Sequence, residues 1–287
     1  MMGRERQAGR PRKRFGQHFL VDAAVVKRIV ELVRPDGTCR VLEIGPGRGA
    51  LTRPLVAALE YLVAVEIDRD LVALLHQQFD GEKLAVVEGD ILRLDLTELL
   101  RQEEKEKWWV VGNLPYNISA PLLFLLLEQK AIIHTALLML QREVAQRLLA
   151  RPGTKNYGIL SVLLGQQVEA RHCFDVSNKA FRPVPQVQST VVELQFRQTF
   201  KYPVQDERIF KRLVRTVFGQ RRKMLRNSLR ALTGPGGQEE LGPIAERSGI
   251  DLKRRPETLT LEEFSRLSDA FSQGPEVRPD IARLAAD

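Results

Sequence analysis

The residues that could do chemistry begin with a glycine motif and two acids. Gly45-x-Gly47-x-Gly49 follows an apolar run, and glycines there let the backbone approach a ligand where side chains would collide. Glu66 and Asp90 lie at the ends of the next two apolar runs. A carboxylate at Glu66 can accept hydrogen bonds from both hydroxyls of a ribose, and Asp90 can accept from an adenine amino group. The pattern predicts a nucleoside cofactor, and the glycines fit NAD as well as S-adenosylmethionine.

A second motif, Asn113-Leu114-Pro115-Tyr116, follows the fourth apolar run. The amide oxygen of Asn113 and the backbone carbonyl before Pro115 can each accept one N–H of an adenine amino group. Held out of conjugation, that nitrogen regains a lone pair that can attack a sulfonium methyl, and positioning supplies most of the effect. Tyr116 offers a face on which the base can stack. Together with Glu43 before the glycines, this motif favours S-adenosylmethionine over NAD.

Phe181, in the proline-rich stretch 181–188, is a further candidate for the site. Its ring could form a second aromatic face, opposite Tyr116, around a base that has been splayed out of its stack. A structural alternative stays open for each feature. The glycines and acids can form a tight turn with surface carboxylates, the second motif can be a turn with a core tyrosine, and Phe181 can anchor its loop.

These motifs must be positioned by alternating strands and helices. The apolar runs at 41–44, 62–67, 84–87, 109–111 and 135–140 predict strands, and the segments 51–59, 70–79, 122–128 and 142–150 predict helices. Two further strands, around 159–168 and 190–196, would close the sheet. The alternation predicts an α/β fold with a doubly wound parallel sheet. Because ligands bind beyond the carboxyl ends of such strands, the four strand-end motifs should line one crevice.

From residue 203 onward only helical patterns occur, which predicts a small helical domain at the carboxyl end. We therefore expect a basic arm with a cofactor-binding turn at 1–20, a cofactor-binding domain at 21–200 and a helical RNA-binding domain at 201–287.

Positive charge is concentrated in two segments of a chain whose net charge is +8. Residues 1–14 carry six Lys or Arg against one acid, residues 205–230 carry nine against two, and the remainder is slightly acidic. Clustered cations suit RNA phosphates, although charge also promotes solubility. A helix face is predicted for Arg221, Arg222, Lys223, Arg226 and Arg230.

Composition excludes several classes of protein. The 287 residues are 44% hydrophobic and 28% charged, as in ordinary globular proteins. Cys39 and Cys173 cannot form a disulfide framework and do not have the spacing of a metal cluster, so we expect no metal and a cytoplasmic location. Apolar runs such as 120–127 are too short for a membrane span. Nothing in the sequence indicates a protein partner.

Four segments together resemble the ribosomal RNA adenine N6,N6-dimethyltransferases. They are residues 13–20, 43–49, 112–119 and 220–223. The resemblance runs from about residue 12 to residue 270 and is closest to members that act on 16S RNA of the small subunit. It implies a Rossmann-like class I methyltransferase sheet with a helical domain, and a substrate of two adjacent adenosines near the 3′ end of 16S RNA, in the small subunit or its precursor.

The resemblance also implies residue roles. The cofactor S-adenosylmethionine would be bound by His18, Leu20, Gly45, Gly47, Glu66, Asp90 and Asn113. The catalytic set would be Asn113, Leu114, Pro115, Tyr116 and Phe181, and the RNA-binding set Arg221, Arg222, Lys223 and Arg226. Members of the family usually carry Asn where this chain has His18, and a neutral imidazole can replace only one of the two amide roles.

Three alternatives compete with this interpretation. A non-catalytic ribosome assembly factor could use the basic helices, although the intact motif at 113–116 argues against lost catalysis. An enzyme that methylates large-subunit RNA and confers antibiotic resistance would share the first 200 residues, whereas 220–229 resembles the 16S type. An NAD oxidoreductase would need residues for hydride transfer, and no motif supplies them.

Overall fold

The computed structural model describes residues 16–33, 40–79, 81–100, 108–115, 118–233 and 239–273. Contacts divide the chain into two compact units. The first comprises 1–146 with 168–198, and the second comprises 147–167 with 199–287. None of the helices in the described ranges is long and apolar enough to span a bilayer.

The first unit is built from strands and the helices that connect them. Its strands are β1 (Phe19–Leu20), β2 (Arg40–Ile44), β3 (Leu62–Glu66), β4 (Leu84–Glu88), β5 (Trp108–Asn113), β6 (Ile133–Gln141), β7 (Val168–Val176), β8 (Phe181–Arg182) and β9 (Ser189–Phe196). Its helices are α1 (Ala23–Val33), α2 (Thr52–Ala58), α3 (Arg69–Gln78), α4 (Leu96–Leu99) and α5 (Ser119–Glu128). Helix α6 (Arg142–Leu148) follows, and its last two residues belong to the second unit.

Seven of these strands form one sheet in the order β4-β3-β2-β5-β6-β9-β7. Strands β2 to β6 are parallel, and β9 runs antiparallel to both of its neighbours. Every residue of β3 is buried, as expected for an apolar strand covered on both faces. The predicted α/β fold with its doubly wound sheet is confirmed.

The remaining two strands form a small antiparallel pair beside the sheet. In it Phe19 lies opposite Arg182 and Leu20 opposite Phe181, and the N–H of Val21 donates to the carbonyl of Ala180 at 2.8 Å. Leu20 and Phe181 belong to the same buried apolar cluster as the strands of the sheet. The segment 16–21, here called the N-terminal turn, is thereby fixed to the proline-rich stretch.

The second unit is helical among its described residues. Its helices are α7 (Ile159–Gly165), α8 (Glu207–Gly219), α9 (Leu225–Thr233), α10 (Leu241–Ser248) and α11 (Leu261–Ser272). Apolar side chains of α8 and α11, such as Phe210, Val217 and Phe264, are fully buried. The hydroxyl of Thr260 accepts from the N–H of Glu263 at 3.1 Å and caps α11. The predicted helical domain thus gains its core from amphipathic helices.

The strand predicted at 159–168 is wrong. Residues 159–165 form helix α7 and β7 begins only at Val168, because a short apolar run fits either element and the Ser161 hydroxyl accepts the N–H of Gly158 at 3.1 Å, as at a helix start. Gln166 is buried in the second unit, where its amide donates to the Ser265 hydroxyl at 2.7 Å and accepts from the N–H of Tyr202 at 3.0 Å. Residues 147–167 are thus grouped with 199–287, while the predicted domain at 21–200 includes them.

Gly112 is expected to be essential for the contact between β2 and β5. A Cβ at this position would lie 2.9 Å from the carbonyl oxygen of Ile44, so the two strands would have to move apart. We expect Gly112→Ala to lower the free energy of unfolding by about 1 to 3 kcal/mol, as overpacking does. Thermal or denaturant unfolding checks this. Gly81→Ala, where a Cβ would have no atom within 4 Å, is the matched control, and equal stability of the two variants would contradict the account.

Candidate active site

A cavity of about 510 Å³ opens at the carboxyl ends of the parallel strands of the first unit. Its wall is formed by the N-terminal turn, by residues 45–49, here called the glycine loop, by the ends of β3 and β5, and by the residues after β4. The structure brings together the following predicted residues in this wall: His18, Leu20, Gly45, Gly47, Glu66, Asp90, Asn113, Leu114 and Pro115. The predicted crevice is therefore present, while the ligand contacts of these residues stay predictions.

The glycine loop needs its glycines because its backbone bends sharply under the N-terminal turn. Gly45 and Gly47 have φ angles of 68° and 60°, a region that favours glycine. A Cβ on Gly47 would lie 3.1 Å from Cδ1 of Phe19. The guanidinium of Arg48 lies 4.6 Å from the centre of the same ring. The loop and the N-terminal turn therefore pack against each other through Phe19.

Glu66 connects the glycine loop to the end of β3. Its side chain is buried, with 5% of its surface exposed. Oε2 accepts the N–H of Gly47 at 3.0 Å and Oε1 accepts the N–H of Asp68 at 2.9 Å. Burial raises the pKa of Glu66, and the two backbone N–H groups partly offset that rise. Each carboxylate oxygen can accept a second hydrogen bond, which leaves capacity for the hydroxyls of a ligand.

Glu43 is a second buried carboxyl group in the cavity wall. It is 1% exposed, and its Oε2 has no hydrogen-bond partner among the described residues. Burial raises the pKa of Glu43 to about 8, and the charge of Glu66 adds to the rise. The group is therefore mostly protonated at neutral pH. A cation bound nearby would favour its ionised form.

Asp90 is half-buried in the cavity wall, beyond the end of β4. Its Oδ1 accepts the N–H of Leu92 at 3.1 Å, and its Oδ2 lies 3.6 Å from Nε of Arg93. These contacts fix the carboxylate at the strand end.

The side chain of Asn113 is held by the backbone of the N-terminal turn. Its Nδ2 donates to the carbonyl oxygen of His18 at 3.0 Å. A carbonyl can only accept, so the amide nitrogen is assigned by its partner and the position of Oδ1 follows from the planar amide. After Asn113 the chain leaves the sheet through Leu114, which is buried, and Pro115, whose carbonyl accepts the N–H of Ile118 at 3.2 Å. Tyr116 lies outside the described residues.

His18, which stands where the family usually has asparagine, makes a hydrogen bond that the sequence did not predict. Its Nδ1 lies 2.8 Å from the carbonyl oxygen of Pro183, which requires that Nδ1 carry the proton. The neighbouring Gln17 donates from Nε2 to Oδ2 of Asp68 at 3.0 Å. Through these bonds the N-terminal turn is tied to the proline-rich stretch on one side and to the end of β3 on the other.

Phe181 is placed differently from the other candidates. Its side chain is 1% exposed and packs in the apolar cluster with Leu20 and Ala180. It is not among the residues that line the cavity. In this arrangement Phe181 anchors the proline-rich stretch and offers no free face to a base. Stacking by Phe181 stays a prediction that requires residues 181–188 to move.

Several apolar residues of the wall were not predicted from the sequence, and Ile67 is one of them. Ile67 follows Glu66 directly, lines the cavity and is 44% exposed. An apolar side chain exposed beside a buried acid suits the face of a base. The signal was present in the sequence, because Ile67 continues the apolar run of β3 beyond the residue at which the strand ends.

The basic cluster of the second unit, Arg221 to Arg230, does not form the single helix face that was predicted. Arg221, Arg222 and Lys223 lie in a turn, and α9 begins only at Leu225. The N–H of Lys223 donates to the carbonyl of Gln220 at 2.8 Å, a turn contact rather than an α-helical one. Arg222, Lys223 and the helical Arg226 and Arg230 are exposed. The guanidinium of Arg221 donates to the carbonyls of Lys155 at 2.7 Å and Thr154 at 3.1 Å, so Arg221 serves the protein's own backbone.

The chain matches the family model for ribosomal RNA adenine dimethylase over residues 9–271. It is 46% identical over 266 residues to the ribosomal RNA small subunit methyltransferase A of Geobacter metallireducens, covering 91% of this chain and 96% of that protein. The protein of the same name from Pseudomonas fluorescens is 41% identical over 277 residues, which cover 96% of this chain and 99% of that one.

Two solved structures are also similar. A dimethyladenosine transferase from Plasmodium falciparum shares the fold, with a TM-score of 0.74 and 24% identity, over 87% of this chain and 96% of that one. The 23S rRNA methyltransferase ErmE has a TM-score of 0.66 and 25% identity, over 89% of this chain and 100% of that one. The glycine loop, the strand-end acids and the Asn113 motif thus lie on a class I methyltransferase fold, and the chain belongs to the ribosomal RNA adenine dimethylase family.

Proposed function

We propose that this protein transfers methyl groups from S-adenosylmethionine to N6 of two adjacent adenosines near the 3′ end of 16S ribosomal RNA, in the small subunit or its precursor. The observation that carries the proposal is the amide of Asn113, fixed by the His18 carbonyl at the wall of a nucleoside-sized cavity. Relatives at 41% and 46% identity, named ribosomal RNA small subunit methyltransferase A, support the choice of subunit.

The cavity residues fit this cofactor. When bound, S-adenosylmethionine supplies a methyl group activated by a positively charged sulfur. The glycine loop leaves room for close backbone contact, and the buried Oε2 of Glu43 has no hydrogen-bond partner among the described residues. We infer that Glu66 accepts from the ribose hydroxyls, that Asp90 accepts from the adenine amino group and that Ile67 packs on the adenine ring. The proposed binding set is completed by His18, Leu20, Gly45, Gly47 and Asn113.

For the transfer itself, the protein's part is to position the amine. In the proposal, Oδ1 of Asn113 accepts one N–H of the target adenine and the carbonyl of Leu114 accepts the other. Pro115 restrains the backbone that carries this carbonyl. The nitrogen lone pair would then be directed toward the methyl group that bound S-adenosylmethionine would supply, with the N–C bond forming as the S–C bond breaks. The alkylated amine is acidic and loses its proton to water, so no side chain is needed as a strong base. Tyr116 and Phe181 are the proposed stacking residues.

Recognition of RNA is assigned to the second unit. Arg222, Lys223 and Arg226 are exposed and suit phosphate oxygens, which carry little sequence information. Selectivity then depends on the shape of folded RNA that presents unpaired adenosines. This favours a ribosomal particle over naked RNA as substrate.

Glu66→Gln tests the proposed cofactor site. The substitution places an amide N–H₂ where a carboxylate oxygen accepts a backbone N–H, and it removes a charged acceptor for the ribose. We expect the affinity for S-adenosylmethionine to fall by about 1 to 3 kcal/mol, the scale for hydrogen bonds to charged groups. Calorimetry measures it, with thermal unfolding to confirm that the variant is folded. Glu88→Gln, at the paired position of β4, is the control. Unchanged affinity in Glu66→Gln would remove the residue from the site.

Methyl transfer to purified particles tests the function as a whole. With labelled cofactor, undermethylated small subunits should accept four methyl groups per particle, recovered as N6,N6-dimethyladenosine from two adjacent positions, as a dimethylation of two adenosines requires. Large subunits and naked 16S RNA should accept far fewer, and RNA affinity should fall steeply with salt. Preferential methylation of large subunits would refute the 16S assignment, and no transfer to any RNA would support the non-catalytic alternative.

A further inference from the structure

The loop at 151–158 in the second unit is held by the arginine that the sequence analysis assigned to RNA. We infer that Arg221 is a positioning residue rather than an RNA ligand, and that the loop it holds presents Arg151 and Lys155 to RNA phosphates. The inference rests on the proposed binding of RNA by the second unit and extends the surface to a segment outside the basic cluster.

Two nitrogens of the Arg221 guanidinium make hydrogen bonds, and the third faces a carboxylate at ion-pair distance. Nη1 donates to the carbonyl of Lys155 at 2.7 Å and Nη2 to the carbonyl of Thr154 at 3.1 Å. Nε lies 3.9 Å from Oε2 of Glu257, whose side chain is largely buried. Because its Nη1/Nη2 edge bonds two consecutive carbonyls and its Nε faces a carboxylate, the guanidinium is oriented toward protein atoms and not toward a phosphate. The fixed fork explains why Arg221 is only half-exposed while Arg222 and Lys223 are exposed.

The same loop is anchored at both ends. The N–H of Gly153 donates to the carbonyl of Glu257 at 2.6 Å, and the Thr154 hydroxyl donates to the carbonyl of Arg151 at 2.7 Å. At the other end Tyr157 is buried and packs edge-on against Phe218, with ring centres 6.1 Å apart. Arg221 therefore holds the middle of a loop whose flanks are already fixed.

This arrangement leaves the cations of the loop directed to solvent. Arg151 and Lys155 are exposed. The side chain of Arg221 reaches the backbone of Lys155, so the loop lies next to the turn that carries Arg222 and Lys223. The charge of Glu257, the acid that contacts this loop, is offset by Arg221. Two exposed pairs of cations on adjacent segments form a surface for a phosphate backbone, and the membership of an RNA-modifying family favours RNA over an acidic protein.

The charge-conserving variant Arg221→Lys separates the two roles. A lysine keeps the positive charge but cannot contact two carbonyls in a planar fork. We expect faster amide hydrogen exchange in residues 153–157, unchanged affinity for S-adenosylmethionine, and a loss of about five- to tenfold in affinity for undermethylated small subunits, the scale of losing one or two good contacts. Arg266→Lys, at an exposed position of α11 outside the proposed surface, is the matched control and should bind like the wild type.

The surface variants Arg151→Ala and Lys155→Ala test the RNA contact without disturbing the loop anchors. Each should reduce the slope of log affinity against log salt by about 0.7 to 0.9, the effect of one phosphate contact. The inference is overturned if Arg221→Lys exchanges and binds like the wild type, or if both alanine variants keep the wild-type slope. Failure of the proposed function would give a different result. The wild-type protein itself would then neither prefer nor methylate small subunits, whatever the variants do.

Discussion

The hydrogen bond from Nδ2 of Asn113 to the carbonyl of His18 is the interaction on which the arrangement of the site depends. It joins the end of a central strand to a turn that is distant in sequence, and it orients the amide whose oxygen the proposed chemistry uses. The turn is itself secured by His18 to Pro183 and by Gln17 to Asp68. The proposed cofactor wall and the proposed reacting amide are therefore positioned by the same short segment, so that loss of the turn would disturb both.

Two buried carboxyl groups give the cavity its electrostatic character. Glu66 is satisfied by two backbone N–H groups, whereas Oε2 of Glu43 lacks a partner among the described residues. The pKa of Glu43 is raised from 4.5 to about 8, so its contribution to stability is fully present below 4.5 and is lost as the pH rises through 8. A positively charged ligand in the cavity would offset that loss by stabilising the carboxylate. The unfavourable burial of Glu43 is thus consistent with a site for a cation.

Much of the fold and of the cavity could be predicted from the sequence. The carboxyl ends of parallel strands lie at the same edge of the sheet, and this does not depend on how the side chains pack. The positions of Gly45, Glu66, Asp90 and Asn113 followed from apolar runs alone. The helix at 159–165 could not be distinguished from a strand, since a seven-residue apolar run fits both. Contacts between residues that are distant in the sequence could not be predicted either.

Arg221 and Phe181 show which contacts the sequence could not reveal, while their predicted roles in RNA binding and stacking stay predictions. A cationic side chain in a basic cluster suggests phosphate, but only the fold reveals that the carbonyls of Thr154 and Lys155 occupy its guanidinium. An aromatic residue in a proline-rich stretch suggests stacking, but pairing with Leu20 places the ring of Phe181 in the core. In both cases the deciding neighbour is far away in the sequence, and no local pattern records it.

The most direct test of this account is the single-turnover rate of methyl transfer by Asn113→Ala, measured with saturating cofactor and small subunits. The control is Asn178→Ala. This change also removes an amide that donates to a backbone carbonyl, in this case that of Pro185. We expect a rate lower by about 10²- to 10³-fold, the effect of removing one preorganised polar group from a reacting centre. The affinities for cofactor and RNA should change far less, because the bonds of His18 to Pro183 and of Gln17 to Asp68 still hold the turn. A normal rate, or a rate that falls only in proportion to cofactor affinity, would contradict this account.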